Sequence, residues 1–235
     1  MGGGEEEACG LICSAPGSPG PEVSAAAAVD LLAHSSVCEI QRGALVVFDW
    51  DDTLLPSSWL SKSGMRLDSP ETLPSDVQEQ LAACDKASSA LLQSALCCAA
   101  KVCIITNAEE HRSAARFAPL LCQPLPQCSV LSARSSFEAS APGDFIQWKI
   151  MAFTQVIGEC FSSSVLSIGD SLVERDAVHS AASSHPDIFV KSIKLIDKPT
   201  PLRLSEQLLM LRDSIHTLAY EHSHFDLMIQ ISPPS

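Results

Sequence analysis

The sequence lacks a long apolar run and has few basic residues. A membrane-spanning helix needs about 20 consecutive apolar residues, and no such run occurs in the 235 residues. The 15 lysines and arginines stand against 28 aspartates and glutamates, so the formal net charge is −13. Because nucleic acids and anionic membranes attract basic surfaces, we expect neither of them as a partner.

The ten cysteines also lack the spacing of a metal site, since no Cys-x-x-Cys pair and no Cys/His cluster with zinc spacing occurs. Several of them lie in apolar stretches, which favours cysteine as a small buried hydrophobe in a reducing compartment. Residues 1–7 contain no basic region of the kind that begins a secretory signal. We therefore expect a cytoplasmic protein.

Composition predicts one globular domain between two tails. Hydrophobic residues make up 46% of the chain and charged residues 18%, which supports a large core. Residues 1–40 begin with a Gly-, Glu-, Pro- and Ser-rich stretch and are expected to form a flexible tail, in which the Ala-rich residues 23–32 could form a short helix. The domain is predicted at 41–225, and a C-terminal tail at 226–235.

Within that domain, five short apolar runs alternate with segments of helical periodicity. This alternation predicts an α/β fold with a parallel sheet. Ser75, Asp144 and Thr200 are predicted helix N-caps. Ser75 would form a capping box with Gln78, and Thr200 is followed by a first-turn proline. The predicted strands lie near 45–48, 102–107, 128–132, 164–168 and 188–195, and the predicted helices near 75–98, 108–118, 144–160, 172–182 and 200–218. Residues 54–74 are predicted to form a loop.

Polar side chains follow three of these strands. Asp49 and Asp51 end the first, Thr106 and Asn107 the second, and Asp170 the fourth. The carboxyl ends of parallel strands lie along one edge of the sheet, where ligands bind. Buried carboxylates at the end of an apolar strand are costly unless a cation compensates them. The sequence therefore predicts a Mg²⁺ site that also carries chemistry.

Four ordered motifs resemble those of the haloacid dehalogenase-like superfamily of aspartate-nucleophile phosphohydrolases. The motifs are Asp49-Trp50-Asp51-Asp52-Thr53 after the first strand, Thr106 after the second, the lone Lys149, and Gly169-Asp170 followed by Glu174. The ordered set is far more specific than any one motif. The resemblance implies a Rossmann-like three-layer α/β/α domain with a five-stranded parallel sheet in the order 5-4-1-2-3. Members of the superfamily can carry an inserted cap domain that determines specificity. Neither 54–100 nor 107–149 leaves room for a separate cap domain here, so the resemblance implies a minimal-cap protein.

The resemblance further implies a role for each residue. Asp49 would be the nucleophile that forms an aspartyl-phosphate, and Asp51 the general acid and base. The phosphate would be bound by Thr106, Asn107 and Lys149, and Mg²⁺ by Asp49, Asp51, Asp170 and Glu174. Asp176 competes with Glu174 for the last position.

The leading hypothesis is a Mg²⁺-dependent phosphohydrolase acting on a phosphorylated small molecule or a phosphoprotein. An acid at position 51 indicates transfer of the phosphoryl group to water. A catalytically inactive phosphate- or partner-binding module on the same fold is the alternative, against which the complete set of acids argues. A phosphotransferase that uses another acceptor is not separated from a hydrolase by sequence.

Overall fold

The computed structural model describes residues 9–13, 23–24, 43–65, 73–108 and 125–231. Within these ranges, eight strands form one sheet in the order β2-β1-β8-β7-β6-β3-β4-β5. The strands are β1 Cys9–Cys13, β2 Val23–Ser24, β3 Leu45–Phe48, β4 Lys101–Thr106, β5 Ser129–Ser132, β6 Ser164–Gly169, β7 Phe189–Lys194 and β8 Phe225–Ile231.

Six of these strands, β3 to β8, pair in parallel. The prediction of a five-stranded sheet is therefore wrong in its count. Numbered along the chain from β3 to β8, the six strands have the order 3-2-1-4-5-6. From the other edge of the sheet this order is 6-5-4-1-2-3, which is the predicted order 5-4-1-2-3 with a sixth strand beside the fifth. The sixth strand, β8, also pairs antiparallel with β1. The α/β class and the parallel sheet are confirmed.

Two hydrophobic cores cover the two faces of the sheet, because side chains of a strand alternate between its faces. The helices are α1 Ser57–Lys62, α2 Ser75–Cys98, α3 Ala133–Phe137, α4 Phe145–Gly158, α5 Leu172–Ala182 and α6 Pro201–Tyr220. Val46 and Phe48 of β3 share a core with α2 and α6. Leu45 and Val47 of the same strand share the other core with α4 and α5. The result is a three-layer arrangement.

Two of the three predicted N-caps are confirmed. The third is wrong, because Ser75 is the first residue of α2 after Pro74, no side chain caps this helix, and Gln78 donates to the Leu73 carbonyl instead. The Asp144 side chain accepts a hydrogen bond of 2.9 Å from the backbone N–H of Gln147 at the start of α4. Thr200 accepts a hydrogen bond of 3.3 Å from the N–H of Arg203, and Pro201 is the first residue of α6. These side chains satisfy backbone donors that the first turn of a helix leaves unpaired.

The C-terminal ends of α2 and α6 are held by side chains from elsewhere in the fold. Lys191, buried in β7, donates from Nζ to the carbonyls of Leu218 (3.1 Å) and Ala219 (2.6 Å). The Ser164 hydroxyl donates to the same Ala219 carbonyl at 3.0 Å. The Tyr220 hydroxyl donates to the carbonyl of Cys98, the last residue of α2.

The predicted tails and one predicted loop need correction. Residues 226–231 belong to β8, where Leu227 and Ile229 are buried in the core, so the domain does not end at 225. In the predicted N-terminal tail, Cys9–Cys13 and Val23–Ser24 are strands, because they extend the sheet beside β8. The predicted loop at 54–74 contains α1.

Two further predictions lie wholly or largely outside the described residues. They are the helix at 108–118 and the part of the Ala-rich helix beyond residue 24. Between β3 and β4, the described residues form α1 and α2 and no separate cap domain. In the part of the chain that the structure describes, no helix combines the length and apolar character needed to cross a membrane.

Candidate active site

Two predicted acids lie side by side because β3 and β6 are neighbours. Phe48 of β3 is in register with Ile168 of β6, and the N–H of Asp49 donates to the Ile168 carbonyl at 2.9 Å. Asp49 follows the last residue of β3, and Asp170 follows the last residue of β6. The parallel register therefore brings both carboxylates to one edge of the sheet, as predicted.

Lys149 is the residue that joins the parts of this site. It lies in the second turn of α4 and is only 2% exposed. Its Nζ donates to Oδ1 of Asp49, lies 3.0 Å from Oε1 of Glu174, and donates to the carbonyl of Ile105 at 3.1 Å. The Lys149 ammonium group thus links the end of β3, the end of β4 and the start of α5.

Burial and charge act in opposite directions on these groups. Burial raises the pKa of Asp49 to about 7, against the attraction of Lys149 and with help from the Glu174 carboxylate. Burial alone would lower the pKa of Lys149, but the carboxylates of Asp49 and Glu174 outweigh it and raise that pKa. Burial likewise opposes the charged form of Glu174, yet Lys149 and Ser171 lower its pKa overall. The lysine is therefore held as an ammonium ion.

Glu174 faces the site, and Asp176 does not. Glu174 is 6% exposed, and its Oε2 accepts hydrogen bonds from the hydroxyl and the backbone N–H of Ser171. The bond from the backbone N–H is one half of a capping box at the start of α5, in which the Ser171 side chain in turn accepts from the backbone N–H of Glu174. The exposed Asp176 instead pairs with Arg175 at 3.1 Å. A Cβ built on Gly169 would lie 2.5 Å from Cγ of Glu174, so the absence of a side chain at Gly169 allows this approach.

The turn after Asp49 is held by Asp52, a residue that the motif-based prediction gave no role. Asp52 has a φ of 54°, a left-handed conformation that aspartate tolerates better than most residues. Its Oδ1 accepts hydrogen bonds from the N–H of Ser58 (2.8 Å) and the hydroxyl of Ser57 (3.4 Å), at the start of α1. Burial raises the pKa of the neighbouring Asp51, and Ser57 partly opposes this.

Thr106 and Asn107 lie at the end of β4, directly after the carbonyl that Lys149 contacts. Thr106 is 1% exposed, and its Oγ1 accepts a hydrogen bond of 3.0 Å from the N–H of Ala108. Asn107 donates from Nδ2 to the carbonyl of Phe145 at 3.3 Å. Among the described residues, its buried Oδ1 finds no hydrogen-bond partner. Both predicted phosphate-binding residues are thus at the same edge of the sheet.

The carboxylates of the site provide a test of the predicted metal. Burial raises the pKa of Asp170 to about 7, and the nearby carboxylates of Glu174, Asp52 and Asp197 add to this. The carboxylates of Asp49 and Asp170 and the carbonyl of Asp51 are the oxygen donors at this edge of the sheet that could coordinate a hard divalent cation. Glu174 fits less well, because Lys149 and Ser171 already bind its two oxygens. Over the described ranges, no group of three or more His, Cys, Asp or Glu residues has the arrangement of a metal site.

Known proteins do not add to this picture. Comparisons with protein-family models, with curated proteins and with solved structures give no match to the chain. The resemblance to the haloacid dehalogenase-like superfamily therefore rests on the four motifs, and membership remains a proposal.

Proposed function

We propose that this protein is a Mg²⁺-dependent phosphohydrolase of the haloacid dehalogenase-like type, with a Rossmann-like domain and an aspartyl-phosphate intermediate. The observation that carries the proposal is that the buried Lys149 ammonium contacts the Asp49 carboxylate after β3 and the Ile105 carbonyl in the adjacent strand β4. A buried lysine beside a carboxylate, with further acids nearby, suits the transfer of an anionic group.

In the first step, a carboxylate oxygen of Asp49 attacks phosphorus, and the bond from phosphorus to the ester oxygen breaks. Asp51 donates its proton to the leaving oxygen. The raised pKa of Asp51 supports this role, because burial favours the protonated carboxyl that a general acid needs. Attack by the side chain divides one difficult displacement into two easier ones.

In the second step, water attacks the phosphorus of the aspartyl-phosphate while Asp51, now ionised, accepts a proton from it. The bond from phosphorus to the Asp49 oxygen breaks, which releases inorganic phosphate and regenerates the carboxylate. The Thr106 hydroxyl donates to the phosphoryl oxygens, and the Lys149 ammonium neutralises their charge. Glu174 positions Lys149 through its 3.0 Å contact.

A metal ion would complete the charge balance. Mg²⁺ bound by Asp49, the Asp51 carbonyl and Asp170 would supply Lewis-acid stabilisation of the phosphoryl oxygens. The substrate class is a phosphorylated small molecule or a phosphoprotein, and the proposed location is the cytoplasm. The net charge of −13 disfavours a nucleic acid or an anionic membrane as a partner.

The proposal is tested by phosphate release from p-nitrophenyl phosphate, with Mg²⁺ and with excess chelator. We expect activity with Mg²⁺ alone, its loss in Asp49→Asn, and a fall of about 100-fold or more in Asp51→Asn. Asp213→Asn is the control, because it removes an exposed carboxylate on α6 that pairs with Arg212. A wild-type rate in Asp49→Asn would end the hydrolase proposal.

The same assay separates the alternatives. Release of p-nitrophenol that exceeds the release of phosphate when glycerol is added would indicate a phosphotransferase. Inactivity on a panel of phosphate monoesters, with phosphate binding that Lys149→Met abolishes, would favour the inactive binding module.

A further inference from the structure

A cavity lies at the opposite end of the parallel strands from Asp49. Its volume is about 360 Å³, and it is formed by the loop from α4 to β6 and the loop from α5 to β7. These loops precede Ser164 and Phe189, the first residues of their strands. Because β6 is six residues long, the cavity is about 20 Å from Asp170. The proposed phosphohydrolase chemistry does not use it.

A residue that lines this cavity has a buried hydroxyl without a hydrogen-bond partner among the described residues. Ser162 lines the cavity and is 7% exposed, and no hydrogen bond joins its buried Oγ to the described residues. A buried polar atom without a hydrogen bond costs free energy, and such atoms are rare in folded proteins. Because this Oγ is closed to solvent, a molecule in the cavity can use it as an acceptor or donor only when the loop at 160–163 shifts.

The adjacent residue supplies an open aromatic face. Phe161 also lines the cavity, and its side chain is 91% exposed, the highest value among the large exposed hydrophobic residues described. Ile157 and Ile188 form an apolar part of the wall. The cavity therefore combines an aromatic ring, an aliphatic surface and a polar group, which is the usual composition of a ligand site.

The charged residues that line the cavity indicate which class of ligand it binds. Asp187 and His185 are among the described lining residues, and none of these is a lysine or an arginine. A phosphate or carboxylate ligand would therefore find no lysine or arginine among them. The net charge of −13 adds an attraction for cations, and an aromatic face binds a flat organic cation well.

We propose that this cavity binds a guanidinium group on an aliphatic stem. The Asp187 carboxylate accepts hydrogen bonds from the guanidinium, Ser162 Oγ accepts another, and the Phe161 ring stacks on its planar face. The stem packs against Ile157 and Ile188. Free arginine-like metabolites and arginine side chains of a polypeptide carry the same group, and the experiment distinguishes them.

The test uses the full chain labelled with ¹⁵N and follows the amide signals of 160–163 and 184–188. The probes are N-acetyl-L-arginine amide and its neutral isostere N-acetyl-L-citrulline amide. We expect saturable binding of the arginine probe in the millimolar range and binding of the citrulline probe about tenfold weaker or less. Equal affinity for the two probes, or the absence of saturable shifts at these amides, overturns the proposal.

Three variants connect the binding to the cavity. Asp187→Asn is expected to weaken binding about tenfold and Phe161→Leu about threefold. Ser162→Ala is expected to weaken binding a few-fold while leaving Tm unchanged or higher, because it removes an unpartnered hydroxyl. Asp76→Asn, an exposed acid at the start of α2, is the matched control and should bind as wild type. Wild-type affinity in Asp187→Asn contradicts the proposal.

A final comparison distinguishes a free small molecule from a polypeptide segment as the carrier of the guanidinium group. A pentapeptide with arginine between glycines is compared with N-acetyl-L-arginine amide. Affinity at least tenfold tighter for the peptide indicates a polypeptide segment, and equal affinity indicates a free small molecule. Phosphatase activity is measured in parallel, and its presence or absence does not decide this proposal.

Discussion

Replacing Lys149 by methionine tests whether one ammonium group holds the site together. Methionine keeps most of the aliphatic stem and removes the charge. Asp49 and Glu174 would then be two buried carboxylates without their shared cation, and the Ile105 carbonyl would lose its donor. Breaking a buried ion pair in this way costs about 3–5 kcal/mol. For a domain of this size we expect Tm to fall by about 10 °C.

The loss of stability should depend on pH in a defined direction. Without Lys149 the pKa of Asp49, already raised to about 7, rises further, and the lowered pKa of Glu174 rises above its usual value. A carboxyl group whose folded-state pKa exceeds its unfolded-state pKa holds a proton that unfolding releases. Its stability contribution therefore falls as pH rises from about 4 to above 7. The deficit should be smaller near pH 5 than at pH 8.

The measurement is urea unfolding of both proteins at pH 5 and pH 8. Lys191→Met is the matched control, because Lys191 is equally buried but donates to two backbone carbonyls. Its loss should cost about 1–3 kcal/mol at pH 8, less than the loss of Lys149. A double variant with Asp49→Asn should recover part of the Lys149→Met deficit. Equal deficits at both pH values would refute the reasoning.

Three further predictions follow from other contacts. Glu174→Gln should lower the rate of p-nitrophenyl phosphate hydrolysis at least tenfold, because Lys149 loses a positioning charge, whereas Asp176→Asn should not. Leu227→Ala should reduce the free energy of unfolding by about 2–4 kcal/mol, because β8 is part of the core. Burial lowers the pKa of Lys191 to about 8, so wild-type stability should rise with pH from about 8 to 10.5, and this rise should be absent in Lys191→Met.

Each of these has a contradicting result. Equal rates for the Glu174 and Asp176 variants would remove the role given to Glu174. Wild-type stability of Leu227→Ala would show that 226–231 is a tail, as the sequence alone suggested. A flat stability profile of the wild type above pH 8 would mean that Lys191 is not desolvated.

The candidate site was more predictable than the edges of the fold. Asp49 and Asp170 each follow an apolar strand and Thr106 ends one, and parallel pairing brings such positions to one edge whatever lies between them. The contacts of Lys149 were not predictable in this detail. Its acceptors include a backbone carbonyl, at Ile105, which no sequence motif marks.

Strand β8 was not predicted, although the sequence contains a pattern that indicates it. Phe225, Leu227, Ile229 and Ile231 alternate with less apolar residues, the period of a strand with one face against the core. Its place near the last residue, after the polar stretch His222–His224, favoured a tail instead. Helix α1 is only six residues long, and its start depends on the Asp52 side chain, so helical periodicity could not reveal it.

The way in which α2 and α6 end has a consequence for hydrogen exchange. Their last carbonyls accept from Tyr220, Lys191 and Ser164, side chains of other elements. These final turns are therefore secured only once the helices have docked on the sheet. The amides there should exchange through global opening of the domain, with protection close to that of β6 and β7, and not through the local fraying that is usual at a helix terminus.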